Sequence, residues 1–122
     1  MSDLDAQKPP VHNDRPSVHD LVIRQLQASG HWKVPAGREA LARKLRERRE
    51  LGLRRYGTVL QAYNGRDSLQ DALDEAVDLV VYLWTYLEEQ VAEPPNWLRR
   101  SYSDALTLAM TLAFQYEKQL PK

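Results

Sequence analysis

Four acidic residues lie within eight positions of the chain and could together bind a metal ion. They are Asp71, Asp74, Glu75 and Asp78. Since an α-helix completes a turn in about 3.6 residues, side chains at these spacings share one face. Such a face is often simply solvated. Where it is covered, crowded carboxylates repel one another and lose hydration, and a cation compensates both effects. Hard divalent ions such as magnesium prefer oxygen ligands of this kind.

The acidic positions belong to a predicted helix whose opposite face is apolar. That apolar face consists of Leu69, Leu73, Ala76, Val80, Leu83 and Leu87. The acidic side continues into Val81, Tyr82 and Tyr86, which are not typical of a surface in contact with water. We therefore expect something other than bulk solvent to cover the acidic face.

Hydrophobic periodicity and capping signals predict four helices. Their expected ranges are 17–29, 38–56, 67–91 and 96–120. Ser17 with Asp20, and Asp67 with Gln70, are typical of helix N-termini, and Gly57 is expected to end the second helix. Because no alternating strand pattern competes, we expect an all-α fold of the four-helix-bundle type.

Composition divides the chain into two expected parts. Residues 1–16 are polar and contain prolines, so we expect a flexible N-terminal arm, with residues 17–122 forming a single all-α domain. From Leu79 to Leu87 the third helix is apolar or aromatic on nearly every side. A domain of this size cannot cover so much apolar surface alone, and we expect a homodimer or a dimer of dimers.

Charge and cysteine content limit the partners that the protein is expected to bind and the compartment in which it is expected to work. The 17 basic and 17 acidic side chains cancel, so no overall field favours nucleic acid or an anionic membrane. The absence of cysteine excludes disulfides and thiolate metal sites and fits a reducing compartment. No apolar run approaches the roughly 20 residues of a membrane span, and the N-terminal segment lacks the apolar core of an export signal. We expect a cytoplasmic protein that does not contact membrane or nucleic acid.

The segment from Leu51 to Asp67 reads LGLRRYGTVLQAYNGRD and leads into the acidic helix and its apolar continuation to Leu83. In these features the chain resembles short MazG-like proteins, common in actinobacteria and their phages, of the all-α nucleoside triphosphate pyrophosphohydrolase superfamily. The similarity covers residues 21–89. It implies a dimeric or tetrameric helical bundle that hydrolyses (deoxy)nucleoside triphosphates to the monophosphate and pyrophosphate with magnesium or manganese.

The family pattern is Glu-x-x-Glu on one helix and Glu-x-x-Asp on the next. Glu75-Ala-Val-Asp78 matches the second half, and Glu47-Arg-Arg-Glu50 is the only upstream match to the first. The resemblance therefore implies Glu47, Glu50, Glu75 and Asp78 as metal ligands. For Glu47 and Glu50 a second interpretation stays open, since the neighbouring arginines at helical spacing are typical of an exposed, ion-paired surface.

Further roles depend on the same resemblance. Asp71 or Asp74 could supply a missing metal ligand. A carboxylate not fully committed to metal could accept the proton of the attacking water, and Asp74 and Glu75 are the candidates. Candidate contacts to the nucleoside triphosphate substrate are Arg54, Tyr56, Asn64, Arg66 and Tyr82. Asn64 and Tyr56 could equally form an ordinary turn and a helix end.

Two other functions are compatible with the sequence. One is a catalytically silent MazG-like helical protein that binds nucleotide or a protein partner. The other is an interaction module whose basic second helix contacts nucleic acid, which the neutral net charge disfavours.

Overall fold

The described part of the chain is all-helical. A computed structural model describes residues 7–28, 30 and 34–121. Its helices are α1 (Val18–Ala28), α2 (Gly37–Tyr56), α3 (Ser68–Glu88) and α4 (Asn96–Lys118). In these residues the only β-type pairing is an isolated bridge between Ser17 and Gln61, and no strand forms. The predicted all-α class is confirmed.

The helices form two compact units. The first unit, Lys8–Arg66, contains α1 and α2. The second contains α3 and α4, residues 67–121, together with Gln7.

Several predicted helix ends are confirmed. The backbone N–H of Asp20 donates to Ser17 Oγ over 3.4 Å at the start of α1. At the start of α3 the N–H of Gln70 donates to Asp67 Oδ1 over 3.0 Å, which satisfies one of the free donors of a helix N-terminus. Gly57 ends α2 in the left-handed conformation, with φ 73°.

Two helix ends differ from the prediction. α3 ends at Glu88, three residues before Val91, and the N–H of Gln90 there donates to the carbonyl of Leu87 over 3.2 Å. α4 ends at Lys118 rather than Leu120. The predicted end of the first helix at Ser29 lies outside the described residues.

A polar network accompanies a small apolar core in the first unit. The buried apolar side chains there are Ile23, Leu26 and Ala42, and the buried polar ones are Ser17, Thr58, Gln61 and Asn64.

Backbone hydrogen bonds join the segment before α1 to the loop after α2. The N–H of Val11 donates to the carbonyl of Asn64, and that of Val18 to the carbonyl of Leu60, each over 2.8 Å. Residues 7–16, the described part of the expected arm, therefore make long-range contacts. The flexibility of this segment stays a prediction, which amide hydrogen exchange would measure.

In the second unit, the predicted apolar face of α3 is the one that packs. All six of its residues, from Leu69 to Leu87, are buried or half-buried. Among the described residues of this unit, the buried positions are Ala76 on α3 and Leu98 and Ala105 on α4.

Much apolar surface on α3 and α4 stays exposed. On α3 the exposed residues are Val77, Leu79, Val81, Tyr82, Trp84 and Tyr86, and on α4 they are Trp97, Leu108, Met110 and Phe114. None of the helices in the described residues combines the length and apolar character that crossing a membrane requires.

Candidate functional site

α3 positions the acidic face. The helix begins at Ser68, directly after the Asp67 cap. Its first turn contains Asp71, whose negative charge interacts favourably with the positive end of the helix dipole. Asp71, Asp74 and Asp78 are half-buried, whereas Glu75 is exposed. The four carboxylates thus occupy successive turns of one helix face, as the sequence predicts, and three of them are partly removed from water.

Exposed apolar residues flank this acidic face on both sides. Val81 and Trp84, exposed by 56% and 50%, lie on one flank, and Leu79 and Tyr86, exposed by 42% and 48%, lie on the other. Tyr82, a predicted substrate contact, continues the acidic face one turn beyond Asp78 and is 60% exposed.

The side chain of Gln7 binds the N-terminal turn of α3. Its Oε1 accepts the backbone N–H of Asp67 over 2.6 Å, and its Nε2 donates to the carbonyl of Asp67 over 3.2 Å. The same Nε2 donates to Asp71 Oδ1 over 2.8 Å. One amide therefore holds both the helix cap and a member of the acidic face.

The predicted ligands on α2 take part in ion pairs. Lys44 Nζ lies 3.3 Å from Glu47 Oε2, and Arg49 Nη2 lies 2.7 Å from Glu50 Oε1. The hydrogen bond to Glu50 has the larger effect and the one to Asp20 the smaller, and both raise the pKa of the Arg49 guanidinium. These contacts support the interpretation of an ion-paired surface, and metal ligation by Glu47 and Glu50 stays a prediction.

The donor chemistry of the acidic face fits magnesium or manganese. Carboxylate oxygens are the hard ligands that these ions prefer, and Mg²⁺ commonly takes one or two carboxylates and completes its shell with water and phosphate oxygens. Within the described residues, no three acidic or histidine side chains gather closely enough to hold a metal ion by themselves. An ion at this face would need oxygen ligands beyond the α3 carboxylates to complete its shell.

Two of the predicted substrate contacts serve the structure of the loop after α2. Asn64 is 3% exposed, and its Oδ1 accepts the backbone N–H of Arg66 over 3.0 Å, as in an ordinary turn. The guanidinium of Arg66 donates to the carbonyl of Lys8 over 2.8 Å.

Two further predicted contacts, Arg54 and Tyr56, lie at the end of α2. Arg54 is exposed. Tyr56 is half-buried, and its hydroxyl group is buried without a hydrogen-bond partner among the described residues. The guanidinium of Arg55 lies 5.4 Å from the centre of the Tyr56 ring. A buried hydroxyl without a partner is costly to the folded state.

Sequence reasoning missed Gln7, Gln61 and Tyr63. The contacts of Gln7 and Gln61 join residues 46 to 64 positions apart, and no local pattern encodes them. Tyr63 has a positive φ of 58°. One local feature indicated an irregular backbone there, because Tyr63 directly precedes the turn at Asn64 and Gly65.

Comparisons of the chain with protein-family models, with curated proteins and with solved structures found no match.

Proposed function

We propose that this chain is a MazG-like, metal-dependent pyrophosphohydrolase that converts (deoxy)nucleoside triphosphates to the monophosphate and pyrophosphate. The observation that carries the proposal is the set of four carboxylates on one face of α3, three of them half-buried. The resemblance of the segment from Leu51 to Leu83 to the MazG-like superfamily supplies the reaction.

The acidic residues of α3 supply metal ligands and a proton acceptor in this proposal, and Glu75 is a candidate for both roles. Glu75, Asp78 and Asp71 would hold the metal, which when bound would neutralise charge on the triphosphate and lower the pKa of water. Asp74 or Glu75 accepts a proton from the water that attacks phosphorus. The phosphoric anhydride bond to pyrophosphate then breaks, and pyrophosphate leaves with its electron pair.

We also propose that the chain works as a homodimer or a dimer of dimers. The apolar residues that flank the acidic face, including Trp84 at 50% exposed and Val81 at 56%, would face water in a single copy. Exposed apolar residues grouped on one element are typical of an interaction surface. A second copy on these flanks would exclude water from the acidic face and could contribute further oxygen ligands.

Product analysis tests the proposed reaction. The purified chain is incubated with each (d)NTP and magnesium or manganese, and pyrophosphate is scored separately from orthophosphate. We expect pyrophosphate from the unaltered chain and none from Glu75→Gln or Asp78→Asn, whose helical circular dichroism is retained. Asp104→Asn, which removes an exposed carboxylate of α4, is the matched control and keeps its activity. Full activity in either α3 variant would remove these carboxylates from the mechanism.

Thermal unfolding provides a test that does not require turnover. A ligand that binds only the folded state stabilises it by mass action, by about 2.7 kcal/mol at 100 times its dissociation constant. We expect magnesium or manganese to raise the melting temperature of the unaltered chain and to raise that of Glu75→Gln less. An equal rise in both proteins would place the metal elsewhere.

One observation favours the catalytically silent alternative. Glu47 and Glu50 are engaged by Lys44 and Arg49, as in a surface without catalytic function. A chain that releases no pyrophosphate from any (d)NTP, but melts at a higher temperature when a nucleotide is added, would be this silent nucleotide-binding protein.

A further inference from the structure

Tyr63 has an unusual backbone conformation for its residue type. Its φ of 58° is the only positive value at a non-glycine position in the described part of the chain. Glycine and asparagine adopt this left-handed conformation at low cost, whereas a Cβ-bearing aromatic residue does so less readily. The side chain is also 82% exposed, so little burial offsets the strain. A strained residue that projects into solvent points to a function for its side chain.

Two side-chain amides hold this aromatic residue in place. Asn13 Nδ2 donates to the carbonyls of Ala62 and Tyr63 over 2.9 Å and 3.0 Å. Gln61, which is 4% exposed, accepts the N–H of Asn13 over 3.0 Å. Its Nε2 donates to the carbonyls of Asn13 and Arg15 over 2.7 Å and 2.6 Å. The Tyr63 backbone is therefore anchored through Asn13, which the buried Gln61 holds in turn.

A guanidinium group lies against the tyrosine ring. The Cζ atom of Arg15 is 4.6 Å from the centre of the Tyr63 ring. A guanidinium stacked on an aromatic face keeps its N–H edge available for a phosphate or carboxylate. No acidic side chain of the described residues forms an ion pair with Arg15.

These groups line one surface concavity. Asn13, Asp14, Arg15 and Tyr63 line an open depression with a volume of about 320 Å³. This volume falls in the lower part of the range of small-molecule sites, about 300–1,000 Å³. The concavity thus offers an aromatic face, an anion-binding guanidinium and a carboxylate that accepts hydrogen bonds.

We propose that this concavity binds a nucleotide unit. The base stacks on the open face of the Tyr63 ring, the phosphate accepts hydrogen bonds from Arg15, and Asp14 accepts a hydrogen bond from an amino group of the base. The unit is either a free nucleotide or part of a single-stranded nucleic acid, which share this chemistry. The site lies wholly within Lys8–Arg66 and uses none of the α3 carboxylates, so the inference does not depend on the proposed hydrolase function.

NMR of ring-labelled tyrosine tests the proposal. The full-length Glu75→Gln chain in EDTA is titrated with AMP, CMP, GMP and UMP and, in a separate arm, with a single-stranded DNA pentamer. Stacking of a base moves the ring-proton resonances of Tyr63 upfield, and the shift saturates. Saturation by mononucleotides identifies a free-nucleotide site, and saturation by the pentamer alone identifies a single-strand site.

Two variants assign the contacts, with affinities measured by isothermal titration calorimetry because Tyr63→Asn has no ring to observe by NMR. Tyr63→Asn removes the ring but keeps a residue that tolerates left-handed backbone, so it should fold, with an unchanged or higher melting temperature, and bind at least about fivefold more weakly. Arg15→Ala should weaken binding of AMP but not of adenosine, because only AMP carries the phosphate. Arg24→Ala removes an exposed arginine of α1 in the same unit and is the control.

Two results would overturn the proposal. One is the absence of a saturable Tyr63 shift with millimolar mononucleotide or pentamer. The other is unchanged affinity in a folded Tyr63→Asn chain. Failure of the proposed hydrolase function is seen separately, as absence of pyrophosphate from the unaltered chain with metal.

Discussion

Gln7 Nε2 donates a 2.8 Å hydrogen bond to Asp71 Oδ1, across 64 positions of the chain. The same side-chain amide also binds the backbone of Asp67: its Oε1 accepts the N–H, and its Nε2 donates to the carbonyl. A residue from the N-terminal segment thereby reinforces the cap of α3 and orients one carboxylate of the acidic face.

Gln7→Ala should destabilise the chain by about 1 kcal/mol, the typical net contribution of such hydrogen bonds at a partly exposed site. Urea unfolding followed by circular dichroism measures the change as a lower midpoint with an unchanged slope. Gln119→Ala, at the exposed end of α4, is the control and should leave the midpoint where it was. Equal midpoints for Gln7→Ala and the unaltered chain would show that the Gln7 contacts do not stabilise α3 in solution.

The ion pair between Arg49 and Asp20 connects α2 to α1. Arg49 Nη1 lies 3.0 Å and 3.2 Å from the two carboxylate oxygens of Asp20. Because both side chains are about one-third exposed, we expect Arg49→Ala to lower the free energy of unfolding only slightly, as loss of a partly exposed ion pair does. A double-mutant cycle with Asp20→Asn isolates the pair, and Arg46→Ala is the exposed control on α2. A coupling energy of zero would show that the ion pair between Arg49 and Asp20 does not contribute to stability.

His19 should make the stability of the chain sensitive to acid. Burial lowers its pKa from the usual 6.5, and the positive charges of Arg48 and Arg49 lower it further, while Asp20 opposes them. Below about pH 6.5, His19 therefore binds a proton more readily in the unfolded chain than in the folded chain. The stability associated with neutral His19 is present above pH 6.5 and is lost as the pH falls through the lowered folded pKa.

His19→Gln should accordingly flatten the fall in melting temperature below pH 6.5. Thermal unfolding of both proteins over a pH series measures the effect. An NMR titration of the His19 ring supplies the control, because it reports the folded pKa directly. Parallel curves for the two proteins would contradict the predicted shift.

Introducing a negative charge into the exposed apolar surface of α3 or α4 should weaken the proposed self-association. Phe114 on α4 is 60% exposed, and Val81 on α3 is 56% exposed. Burying an unpaired carboxylate in an interface is costly, so we expect Phe114→Glu and Val81→Glu to shift the chain from dimer or tetramer towards monomer. Sedimentation velocity at micromolar concentration measures the distribution, with Gln115→Glu on α4 as the matched control. A monomeric unaltered chain would remove the basis for the interface.

The sequence by itself determined the helices and the composition of the acidic face. The apolar period from Leu69 to Leu87 predicted the side of α3 that packs, and Asp67 with Gln70 predicted its start. These features are encoded by residues three or four positions apart, so local rules suffice for them.

Only the tertiary structure decided which side chains meet across the chain. It placed Gln7 on Asp71, Gln61 on the backbone of Asn13, and Arg49 between Asp20 and Glu50. It also showed how little of the apolar surface of α3 and α4 one copy buries. Most of these contacts join residues between 29 and 64 positions apart, and they arise from the path of the backbone, which no local spacing of residue types specifies.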